Sequence, residues 1–179
     1  MMKNLTPPLE MFEFLDETHK EIQTQLAQLK DMVLLVTQGR RQELDTQRLK
    51  AICDFFDCAV RQHHLDEERH VFPALIASSD DTLIAMTRQL YQDHGWLESN
   101  WVELAPMLKG LVHNNIWFNE AELQHSFDVF SNLNIEHLQL EESIAYPKAK
   151  ACVWTWDSPG IGREMHLRRT LRNNTTQPA

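Results

Sequence analysis

Four times along the chain, apolar residues recur at spacings of three and four for about thirty residues, the period of a helix with one buried face. Each time a histidine takes one place in the stripe. The first stripe is Phe12, Leu15, His19, Ile22, Leu26, Leu29, Val33 and Val36. The second is Leu49, Ile52, Phe56, Val60, His64, Glu68, Val71 and Leu75. The third carries Leu83, Met86, Leu90, His94, Leu97, Trp101 and Leu104, and the fourth Leu123, Phe127, Phe130, His137, Glu141 and Ile144. A chain built this way must bury polar rings, and its fold has to give them partners.

Punctuation sets the helix limits. Pro8 and Gly39 bracket a first helix over 8–38, and a second runs over 43–77 with Pro73 kinking it or tightening its last turn. The "SSDD" at 78–81 caps a third helix that reaches Val112 with a kink at Pro106, and a fourth covers 120–150. Only five glycines are present, so turns are few. Long helices with short links predict an all-α fold, an up-down-up-down antiparallel four-helix bundle over residues 1–150. Residues 151–179 read as a C-terminal tail with a turn and one short helical piece, its basic "GREMHLRRTLR" a docking helix or a solvated end.

Charge and composition exclude several roles. A net charge of −9 argues against binding nucleic acid or an anionic membrane surface by charge neutralisation. No apolar run is long enough to span a bilayer, and "MMKNLTPPLEMFEF" lacks the apolar stretch of a signal peptide. The three cysteines, Cys53, Cys58 and Cys152, form no metal-binding spacing and fit a reduced, cytoplasmic chain.

The histidines share a level. Counting from the helix ends at about 1.5 Å per residue, His19, His64, His94 and His137 fall within one turn of a common height. Glu68 and Glu141 lie one turn after His64 and His137, so each pair can grip one ion. Two buried carboxylates need cations. Four imidazoles and two carboxylates suit two iron or manganese ions bridged by the carboxylates. Zinc would also accept the set, whereas calcium and magnesium want more oxygen.

Other pairings fare less well. Two Glu-x-x-His pairs, Glu67–His70 and Glu122–His125, lie some 30 Å apart in this topology at helical rise and cannot share a site. His63–Glu67 is also spaced by four but requires the face of the second helix to rotate. His64 is preferred because it continues Phe56 and Val60, which puts His63, Glu67 and His70 on the solvated side. His113, His125 and His166 fall on surface or loop positions. Asp93 either orients a ligand histidine or is an exposed charge, and Tyr91 either touches bound ligand or packs. Trp96, Trp101, Trp117, Trp154 and Trp156 fill core and tail contacts. The second and fourth helices also echo each other: His64, Glu68 and Phe72-Pro73 against His137, Glu141 and Tyr146-Pro147, the second copy one residue longer between Glu and Pro.

A lone His on the first and third helices and His-x-x-x-Glu on the second and fourth resemble the hemerythrin-like (HHE cation-binding) domains. "HHLDEERHVFPAL" and "EHLQLEESIAYP" are similar to that family's two paired motifs, and "EMHLRR" to a segment near the end of bacterial members. The resemblance covers most of residues 10–150. It implies metal ligands at His19, His64, His94 and His137, bridging carboxylates at Glu68 and Glu141, and a non-haem di-iron centre with an oxo or hydroxo bridge. Oxygen-carrying hemerythrins have a second histidine on the third helix where this chain has "HGWLE". Glu98 is therefore an extra ligand or, the favoured reading, faces solvent or the ligands' outer partners. The expected function is a cytoplasmic di-iron protein that binds O2, NO or a related small diatomic ligand. A di-iron enzyme or repair factor is the alternative, acting in peroxide or NO reduction or in iron delivery to damaged iron–sulfur clusters. A sensor acting through a separate protein partner is a third role, and a homodimer is left open. His70→Ala and His125→Ala leave metal content per chain unchanged by elemental analysis.

Overall fold

Helix capping decides where each rod begins. The structure is a computed structural model and describes residues 10–115, 117–152 and 158–175. Helix α1 spans Met11–Thr37, with the Glu13 carboxylate accepting from the Glu10 N–H at 3.1 Å. The chain leaves it through Gly39, whose φ of 72° suits a residue without Cβ. A 3-10 turn, Arg41–Glu43, leads to a second rod in three pieces: α2 (Thr46–Phe55), α3 (Arg61–His70) and α4 (Phe72–Ile76). Phe56–Val60 forms a π-helical turn between the first two, and Pro73 lies in the first turn of α4. The Asp80 side chain accepts from the Thr82 and Leu83 N–H groups and starts α5, Asp81–Val112, which continues through Pro106. An Asn119–Glu122 capping box starts α6, Glu120–Leu140. A second π-helical turn, Glu141–Ala145, joins it to α7, Tyr146–Cys152.

These four rods lie within a few residues of the four helices read from the stripes. The expected start at Pro8 and the residues Trp154 and Trp156 fall outside the described residues. Helix α1 packs on α2 and α6, and α5 packs on the same two, which closes an antiparallel all-α bundle. No described helix is long and apolar enough to cross a membrane.

The tail differs from its reading as a short piece. Ser158–Thr175 is one helix, α8, laid against α1. Its Met165 is fully buried, and Arg168 reaches the buried carboxylate of Asp66 on α3 at 2.7 Å. Apolar spacing is weak in this segment, so the stripes gave no sign of its length. Contacts with α1, the buried Met165 and ion pairs from Arg168 to Asp66 and from Glu164 to Arg69 hold it.

The core is divided. One apolar cluster gathers Ile22, Leu26, Leu29, Leu49, Ile52, Phe56, Leu104, Phe127 and Phe130. A second gathers Met11, Phe14, Leu15, Phe72, Leu75, Leu90, Tyr146 and Met165. Between them, all buried, stand His19, His63, Glu67, His94, His137 and Glu141. Met165→Ala empties part of the second cluster and lowers unfolding free energy by about 2–4 kcal/mol in a urea titration.

Candidate metal centre

Each of the four rods contributes to the polar layer. His19 comes from α1, His63 and Glu67 from α3, His94 from α5, and His137 from the last turn of α6 with Glu141 directly after it. Ligand atoms of His19, His63, Glu67 and Glu141 all lie within 4.8 Å of one another, and so do those of Glu67, His94, His137 and Glu141. The two carboxylates belong to both groups. The arrangement is therefore two sets of imidazoles on either side of a shared carboxylate pair. His64, His94 and His137 form a third group by the same measure.

The second rod is turned one residue from the sequence reading. His63 and Glu67 occupy the buried places assigned to His64 and Glu68, while His64 is half-buried and Glu68 is 32% exposed. The cause is a spacing drift. Ile52, Phe56, Val60, His64 and Glu68 are successive steps of four, and each overshoots a full α-turn by about 40°. The π-helical turn over Phe56–Val60 widens the helix and takes up one overshoot. From Val60 the core-facing steps are three, to His63, and then four, to Glu67. One sequence signal pointed this way. With His63 and Glu67, the second-rod motif is His-x-x-x-Glu-x-x-x-x-Phe-Pro, which matches His137, Glu141 and Tyr146-Pro147 place for place. The one-residue mismatch between the copies marked the wrong register. Tyr146 and Asp66 are two further buried groups that the stripes did not single out.

Three carboxylates outside the shared pair orient the imidazoles. His19 Nδ1–H donates to Glu142 Oε1 at 3.1 Å, and His94 Nδ1–H donates to Glu68 Oε1 at 2.8 Å. Asp93 Oδ2 lies 3.8 Å from His137 Nδ1, beside His137 and not beside its neighbour His94. Each arrangement turns Nε2 of the ring inward, the pattern in which metal-bound histidines are held. Glu68 thus orients His94 from the rim. Glu98 is exposed and pairs with Arg61 at 3.3 Å.

Charge in the layer is unbalanced. Burial and the Glu67 charge push the Glu141 carboxyl above its ordinary range. Burial opposes ionising Glu67 too, but His63, His19 and His94 draw it well below that range. Burial disfavours a charged His19, yet Glu141 and Glu67 outweigh it and raise the ring to about 10. Burial, with His94 beside it, keeps His64 neutral.

The donors fit cations. His94 Nε2, His137 Nε2, Glu67 Oε2 and both Glu141 oxygens are buried without a hydrogen-bond partner among the described residues. They approach one another at ion-pair range instead, His137 Nε2 to Glu141 Oε2 at 3.3 Å and His94 Nε2 to Glu67 Oε2 at 3.5 Å. Donor atoms around a six-coordinate ion with bonds of about 2.1 Å stand about 3 Å apart. Buried polar atoms left unpaired at these distances have the spacing that a cation's ligands would need.

A cavity of about 430 Å³ reaches the layer from one side. His64 and His94 line its inner end, with Tyr91, Glu68, Trp101 and Phe130 among its walls. Tyr91 donates to the Glu68 carbonyl at 3.3 Å, which sets it at the mouth.

The family model of the hemerythrin HHE cation binding domain matches residues 10–149. No curated protein and no solved structure matches the chain. Glu67→Gln removes a shared carboxylate and at least halves metal content per chain. Glu68→Gln keeps the metal count but weakens affinity by about 10- to 100-fold in a chelator competition.

Proposed function

The chain belongs to the hemerythrin HHE cation-binding family, and we propose that it holds two iron ions and binds a small diatomic ligand such as O2 or NO. The observation that carries this reading is the shared pair Glu67 and Glu141 between two sets of buried imidazoles. Glu67 and Glu141 would be shared by the two ions, with His19 and His63 holding one and His94 and His137 the other. Manganese or zinc would satisfy the same donors, but zinc has no redox chemistry, whereas iron would supply reversible electron transfer to a small ligand.

The cavity supports a ligand-binding role. His94 and His64 line it, so a small molecule entering from solvent meets the His94 side of the layer. His64 is held neutral by burial, and its ring lies stacked 4.0 Å from the His94 ring. Phe56, Trp101 and Phe130 pack together as an apolar part of the wall. The two carboxylates offset the charge of the ions, and Glu68 and Asp93 keep the imidazoles turned inward. Electron supply decides between binding and turnover, since the same residues serve both. A cytoplasmic, reducing setting suits iron cycling and the free thiols Cys53 and Cys58.

Protein purified without air carries about two irons per chain, the stoichiometry of a carboxylate-bridged pair, and gains near-ultraviolet absorption when air is admitted. Failure to hold iron after anaerobic reconstitution overturns the proposal. Removing the iron with a chelator lowers the melting temperature, because the ions bind only the folded bundle.

A further inference from the structure

The two halves of the layer are built alike but differ by one oxygen atom. His63, Glu67 and Phe72 on the second rod repeat as His137, Glu141 and Tyr146 on the fourth. Phe72 lies stacked on His94 at 5.4 Å with an interplanar angle of 25°. Tyr146 lies stacked on His19 at 5.0 Å and 23°. Phenylalanine thus meets the packing need at one place, and the hydroxyl of Tyr146 is the addition at the other. That hydroxyl is turned into the polar layer. It stands 2.9 Å from His19 Nε2 and donates a short hydrogen bond to Glu67 Oε1, so it converges on two atoms of the His19 group. Tyr146 is 1% exposed. The step that aims it inward is the π-helical turn Glu141–Ala145, which sets Tyr146 five residues after Glu141 at the head of α7.

We propose that Tyr146 is an additional metal ligand on the His19 side, binding ferric iron through its phenolate oxygen. The assignment rests on the di-iron reading above. The spacing suits it, since 2.9 Å between the hydroxyl oxygen and His19 Nε2 is the separation of neighbouring donors on one six-coordinate ion, about 3 Å. As the metal–oxygen bond forms, the phenolic O–H bond breaks and its proton leaves to solvent with those displaced from the imidazoles; no electron moves. His19, His63, Glu67, Glu141 and Tyr146 then crowd one ion in the apolar end of the bundle, under Phe12 and Met11. The other ion keeps His94, His137 and the shared carboxylates, faces Phe72 in place of a hydroxyl, and lies at the end of the cavity. The hydroxyl makes the pair unequal and directs exogenous ligands to the His94 side.

The test is optical. Ferric-loaded wild-type protein shows a visible phenolate-to-iron charge-transfer band and resonance-enhanced tyrosinate ring vibrations. Tyr146→Phe keeps its iron count and loses both, whereas Tyr91→Phe, which alters the chain's other tyrosine, keeps both. Ring-deuterated tyrosine shifts the vibrations in Tyr91→Phe protein, where Tyr146 is the one tyrosine left, which decides the matter even if Tyr146→Phe does not fold. Wild-type protein that holds ferric iron without the band, or a band that survives Tyr146→Phe, overturns the ligand assignment and leaves the di-iron reading standing. Wild-type protein that holds no iron overturns the di-iron reading, and this one with it.

Discussion

Two carboxylates, Glu67 and Glu141, stand fully buried within reach of one another in the middle of a helical bundle. Everything else about the layer answers that placement. Like charges this close repel, and burial removes the water that would screen them. Four buried imidazoles surround the pair, and Nε2 of His94 and of His137 has no hydrogen-bond partner among the described residues. Each rod brings at least one of these groups to the same level.

Much of the bundle was legible because helix period is a strong signal over thirty residues. The rods, a cap within "SSDD" and the common level of His19, His94 and His137 are legible in the sequence alone. On the second rod the buried face lies one residue earlier than repeated steps of four place it, because each such step overshoots an α-turn by about 40° and the error accumulates from Ile52 to Glu68. Comparison of the two motifs was the better guide, since matching residues in a repeat share a register whatever the helix does between them. Helix α8 was underestimated for a different reason. Its docking rests on Met165 and Arg168 and not on a continuous stripe.

The displaced residues did not lose their purpose. Glu68, one place beyond Glu67, holds the Nδ1–H of His94, and His64, one place beyond His63, lines the cavity. Adjacent residues on a helix point about 100° apart, so the doublets His63-His64 and Glu67-Glu68 serve two shells at once. One member of each doublet faces the buried layer, and the other lines the cavity or holds a ring of that layer in place. The density of charge in "HHLDEERH" reflects this double duty, together with the anchoring of α8 through Asp66.

The polar layer also cuts the apolar interior in two. Among the described residues the two clusters are separate, with the imidazoles and carboxylates between them, so dispersion forces do little to knit the ends together. What joins them is the continuity of four backbones and the electrostatic bonds of the layer itself. A bundle of this kind behaves as two small domains sharing a waist. Its cooperativity on unfolding is set less by how well either end packs than by what the waist holds.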